Sequence, residues 1–102
     1  WKDYELRDEF YLDLRFHDET QPLMTVEVNG KQQVVGWAIE REDSNGGRSF
    51  GTTLGHFHEN FTIEAFRRAI VNGILWTAHV EVPAGGAPVA LKEADWTLPP
   101  KK

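Results

Sequence analysis

The pair Asn29-Gly30 constrains this chain more than any other feature, because it joins two extended runs that can pair only by folding back on each other. Asn-Gly adopts positive φ readily at both positions of a tight turn, which matches the twist of antiparallel strands. Pro22 precedes the first run, Leu23-Met24-Thr25-Val26-Glu27-Val28, and residues 33–41 supply the return strand. A β-hairpin is predicted.

Other patterns extend this core. In residues 8–16, Phe10, Leu12, Leu14 and Phe16 alternate with Tyr11, Asp13 and Arg15, the period-two signature of a strand with one buried face. The polar run Glu42-Asp43-Ser44-Asn45-Gly46-Gly47 reads as a turn, and residues 48–55, rich in small and β-branched side chains, read as a further strand. Ile63, Phe66, Ile70 and Ile74, with Ala69 and Trp76, recur at helical spacing, so a long helix is predicted over residues 62–77. Its Glu64, Arg67, Arg68 and Asn72 are expected to face water. Residues 80–102 combine Pro and Gly with extended residues and read as an irregular tail pinned by Trp96. The predicted division is therefore a folded unit over 1–79 and a tail over 80–102.

Composition narrows the function classes. The 102 residues suit one small domain or part of a larger one, and 40% hydrophobic with 26% charged residues is a globular balance. A net charge of −5 without clustered Lys and Arg argues against a nucleic-acid partner. No apolar run approaches the ~18–20 residues of a spanning helix, so no membrane partner is expected. Cysteine is absent, which removes disulfides, thiolate metal sites and a cysteine nucleophile from these residues, and leaves cytoplasm and periplasm equally open.

The chemistry-bearing residues concentrate in Gly55-His56-Phe57-His58-Glu59-Asn60, where a strand should give way to a helix. Strand ends and helix starts present unpaired backbone donors, and ligand sites collect there in α/β sheets. His56 is a candidate general acid or base, oriented by a carboxylate such as Glu59. The competing reading makes His56 and His58 capping or packing residues. Zinc held by His56 and His58 with Glu59 or Glu9 is a further alternative that requires a third ligand; otherwise no cofactor is expected. Asp8-Glu9-Phe10-Tyr11 places two carboxylates and a phenol at a cleft or at an exposed strand start. Arg41 and Arg48 suit an anionic or hydroxylated ligand, or solvated ion pairs. Trp37 suits a stacked sugar ring, or the core.

Several segments taken together resemble the trehalose-utilisation (ThuA-like) family. They are Val35-Gly36-Trp37-Ala38-Ile39-Glu40-Arg41, Gly47-Arg48-Ser49-Phe50-Gly51-Thr52-Thr53-Leu54-Gly55-His56, Phe66-Arg67-Arg68 and Asn72-Gly73-Ile74-Leu75-Trp76. Asp8-Glu9-Phe10-Tyr11 resembles the family's Asp-Glu-aromatic-Tyr segment, and the similarity runs over residues 8–78. The resemblance implies an α/β fold related to class I glutamine amidotransferases, a flavodoxin-like sandwich of which this chain is the C-terminal part. It further implies that the chain is a fragment, or that another polypeptide or a second copy completes the sheet. In the related amidotransferases a His-x-Glu element completes a Cys-His-Glu triad. Here His56 matches the histidine, His58 stands where the glutamate belongs, and Glu59 comes one step later, so cysteine-dependent amidotransferase chemistry is not expected.

The resemblance also implies a carbohydrate-related role, and its Gly-His-Phe-His form resembles variants of secreted bacterial proteins, which favours an extracytoplasmic setting. The leading expectation is a polar pocket for a sugar derivative. In it, His56 and Glu9 are catalytic, and His58, Glu59, Asn60, Tyr11, Trp37 and Arg48 bind the ligand. The alternative is a noncatalytic binding or assembly module.

Overall fold

The computed structural model describes residues 3–42 and 45–98. Three antiparallel strands form one sheet in the order β1-β2-β3: β1 (Gln21–Val28), β2 (Lys31–Glu40) and β3 (Arg48–Thr52). A 3₁₀ turn, η1 (His58–Thr62), leads into α1 (Glu64–Thr77), and a short α2 (Glu93–Trp96) lies near the end. The chain is thus a small α/β fold with a three-stranded antiparallel sheet and one long helix.

The predicted hairpin is present. Asn29 and Gly30 adopt φ of 52° and 79°, so the β1–β2 connection uses the left-handed region that their small side chains tolerate. Register slips between Pro22 and Thr25, where the missing proline N–H is harmless because β1 is an edge strand. β2 is the central strand and contributes buried Gln33, Val35 and Ala38. Trp37 lies across Gly51, its cross-strand neighbour, where a methyl group in place of the glycine hydrogen would come within 2.6 Å of the indole. Glycine is therefore required under that ring.

Three expectations need correction. Residues 8–16 form no strand: Asp13 turns left-handed at φ 55° and donates its N–H to the Gln33 side chain at 2.9 Å instead of to a ladder. Leu12 and Leu14 remain exposed. The alternation that does bury side chains begins earlier, with Tyr4, Leu6, Asp8 and Phe10 turned partly inward between exposed neighbours.

The strand over 48–55 stops at Thr52. The Thr52 hydroxyl donates to the Val35 carbonyl at 2.6 Å and accepts the Leu54 N–H at 3.1 Å, which lifts the chain out of the sheet.

On α1 the buried stripe is Phe66, Ala69 and Gly73, while Ile74 is 59% exposed. Gly73 sets this rotation, because its missing side chain admits the Phe50 ring of β3, which a methyl would meet at 2.5 Å. Arg67, expected in water, is buried. The helix ends as His79 adopts φ 59° and Val80 N–H returns to the Leu75 carbonyl at 2.9 Å, a left-handed cap.

The tail is mostly irregular up to α2. Ala87 and Val89 are buried against α1, and α2 lies beside η1. The Trp96 side chain, proposed to pin the tail, lies outside the described side chains, as do Asp43 and Ser44 of the polar turn.

Much surface is left uncovered. The accessible area is 7846 Å², against roughly 5,900 Å² for a compact chain of this mass. The radius of gyration is 15.2 Å, against about 13 Å. Phe66 is the single large side chain that is fully buried among the described residues. An open cleft of about 730 Å³ is lined by residues 3–6 and Phe10 together with Met24, Val26, Val35 and Leu54.

Candidate functional site

Gly55-His56 leaves the sheet just beyond β3, with Gly55 at φ 119°, a conformation open to glycine and strained for other residues. Its two consecutive N–H groups point at one carboxylate. Asp8 accepts from Gly55 N–H at 2.8 Å and His56 N–H at 3.2 Å, and also from Asn60 Nδ2 at 3.0 Å. Its own neighbour, Glu9 N–H, donates to it at 2.8 Å. Partial burial pushes the Asp8 pKa up, but the donors from Gly55, Glu9, His56 and Asn60 outweigh it and hold the carboxyl below its ordinary value.

Asp8 thereby brings Glu9 to His56. The His56 Nδ1 lies 3.4 Å from Glu9 Oε2, with both side chains about half exposed. The partner is Glu9, 47 positions away, rather than the nearby Glu59. A carboxylate at that ring nitrogen favours the tautomer protonated on Nδ1, which leaves Nε2 as the acceptor for a substrate proton. The imidazole also meets the Phe57 ring edge-on at 4.7 Å, and the Arg7 guanidinium covers Phe57 at 5.2 Å.

The other expected ligand residues separate into groups. Asn60 is buried, with Nδ2 donating to the Arg7 carbonyl at 2.6 Å as well as to Asp8, so it builds the loop and offers no free amide face to a ligand from that nitrogen. His58 and Glu59 are exposed at the start of η1; the His58 ring stands 6.0 Å from that of Phe61. Tyr11 is exposed, three residues beyond the Asp8 anchor.

Trp37 and Arg48 do not join them. Trp37 packs on Gly51 and on Phe16, with ring centroids 4.9 Å apart, as part of the core. Arg48 begins β3 whereas His56 follows its far end, a strand length of roughly 13 Å away. There it pairs with Glu40, donates to the Trp76 carbonyl at 3.1 Å and stacks on the Trp76 ring at 4.8 Å. Its role in this fold is to tie β3 to the end of α1.

Among the described residues no group of three or more His, Asp or Glu side chains is arranged to hold a metal ion. Nor is any helix of the described residues long and apolar enough to cross a membrane.

Sequence reasoning named Asp8 but gave it no role. No local pattern could assign one, since three of its four donors lie 47 to 52 positions away. The usable signal was the need itself, because two consecutive amides beyond a strand end and a buried amide side chain require an acceptor.

No curated protein and no solved structure matches the chain. The family model for trehalose utilisation, ThuA, matches residues 1–77, which include the whole sheet, the Asp8-Glu9 segment, the Gly55–Asn60 loop and α1. With three quarters of its length matched in this way, the chain belongs to the ThuA family.

Proposed function

We propose that the Gly55–Asn60 loop and Glu9 form a site that handles a sugar derivative, with His56 moving a proton at a sugar hydroxyl and Glu9 orienting the imidazole. The family gives a general role in carbohydrate utilisation; the acid–base reading rests on one observation, the His56–Glu9 contact at 3.4 Å on a loop clamped by Asp8. Acid–base pairs of this kind tighten when substrate binds, so a long contact in the free protein is compatible with the role. His58, Glu59 and Tyr11, exposed on the same two segments as the pair, are the proposed ligand contacts. Replacing His56 by Gln keeps a polar side chain but removes the imidazole that would take and return the proton. Sugar-dependent turnover in His56→Gln should fall by about 100-fold or more with the fold unchanged by circular dichroism. Equal turnover in the variant would remove His56 from the reaction.

A second reading is favoured by the uncovered surface: a binding or assembly module completed by another segment or chain. The surplus of roughly 2,000 Å² approaches the area that one partner contributes to a large interface. β1 and β3 each pair on one side only among the described residues, leaving two open edges for a larger, flavodoxin-like sheet. In this reading the site gains its missing wall from the partner, and chemistry, where present, belongs to the assembly. Sedimentation and native mass measurements on the purified material separate the two. A complex with a complementary chain supports assembly; a monodisperse monomer that turns over or binds sugar by itself refutes it.

A further inference from the structure

The tail after α1 lies beyond the family match, yet it is tied to the candidate site through one buried side chain. Arg67, in the first turn of α1, is 8% exposed. Its Nε and Nη2 both donate to the Val89 carbonyl, at 3.0 and 2.8 Å, and its Nη1 donates to the Phe61 carbonyl at 2.7 Å. One planar guanidinium therefore bridges the tail and η1, a task suited to its fixed fork of donors. Phe61 follows Asn60, which holds Asp8, which in turn holds Gly55 and His56.

Further tail contacts run along the same helix. Ala87 N–H donates to Asn72 Oδ1 at 2.8 Å, and Arg68 Nε donates to the Ala87 carbonyl at 3.3 Å. Gly86 lies against the Arg68 side chain with φ 87°, where a larger residue would be strained and would displace Arg68. Beyond Val89, α2 comes to rest beside η1. The tail is thus directed along α1 toward the site.

We propose that residues 86–96 act as a strap that sets the position of η1, with Arg67 as the positioning residue between them. The site loop is consequently ordered from two sides, by Asp8 from the N-terminal segment and by the tail through Arg67. The proposal takes the Gly55–Asn60 loop as the functional site, but its test requires no sugar.

The test is amide hydrogen exchange by NMR on the full chain, with Ala87→Glu to undock the tail and Arg67→Gln to cut the bridge. Undocking should speed exchange at Asn60 and Ile63 by about tenfold or more, and shift the His58 ring resonances, while β1–β2 ladder amides change less than about twofold. Arg67→Lys, able to reach one carbonyl, should restore part of the protection. If Arg67→Gln does not fold, Ala87→Glu carries the test alone, because it leaves the Arg67 side chain in place. Loss of protection at Ala87 with Asn60 and Ile63 unchanged would overturn the proposal, as would equal loss throughout the hairpin. Should the coupling hold while no sugar binds, the strap stands and the carbohydrate site falls.

Discussion

The two irregular segments that flank the sheet and helix are held by opposite chemistry. The N-terminal segment is fastened largely by carboxylates, Asp8 on the amides of the site loop and Asp13 on Lys31 at 2.6 Å, with Asn60 and Gln33 side chains on its backbone besides. The tail is fastened by guanidinium and amide side chains on backbone groups, chiefly through buried Arg67. A carboxylate near water can be neutralised by acid, whereas arginine stays charged at every pH a protein survives. The site loop therefore has one fastening that responds to acid and one that does not.

Breaking the buried fastening should have the largest effect. Arg67→Gln strands the Val89 and Phe61 carbonyls and should cost roughly 3 kcal/mol, read as a lower urea midpoint. A loss below about 0.5 kcal/mol would mean that water replaces the guanidinium easily, and the contrast between the two segments would shrink.

The N-terminal fastening should be weaker and pH-dependent. Asp8→Asn should cost about 1 kcal/mol at neutral pH, discounted because water screens part of the site. The folded Asp8 pKa lies below its unfolded value. Its contribution is therefore complete above the unfolded value, near pH 4, and is lost as pH falls through the folded one. In an acid titration, the Gly55 and His56 amide resonances should move below about pH 4 while that of Ala87 stays. Joint movement of all three would show that the segments respond together.

The smallest effect belongs to Lys31. The Lys31 ammonium beside Asp13, aided by Gln33, holds that carboxyl below its ordinary value, but the pair is exposed to solvent. Lys31→Met should raise the Asp13 pKa in an NMR titration and leave the melting temperature unchanged within error. A clear drop in melting temperature would show that the Asp13–Lys31 pair anchors the N-terminal segment as Asp8 does.

Local signals carried much of the fold. The Asn29-Gly30 turn, the run ahead of it and the helical periodicity through Phe66 each act over a few residues, and those elements are present. The alternation in residues 8–16 is of equal quality but formed no strand, because pairing needs a partner edge and Asp13 bends toward Gln33 instead. Helical spacing likewise allowed two neighbouring stripes on α1. The choice fell to Phe50, which fits only over Gly73.

The candidate site divides along the same line. That His56, His58, Glu59 and Asn60 share one loop is a matter of chain order. That Glu9 serves His56, that Asn60 turns inward, and that Trp37 and Arg48 stand elsewhere depend on contacts spanning tens of residues.

By itself the sequence determined the hairpin, the helix, the placement of the histidines after a strand, and membership of a family, since each rests on neighbouring residues or on their order. Tertiary structure alone decided which carboxylate reaches His56, why Asp8 is ionised so readily, and that Arg67 is buried under the tail. A hydrogen bond is set by distance and angle in space, and residues far apart along a chain acquire these only when the whole fold brings them together.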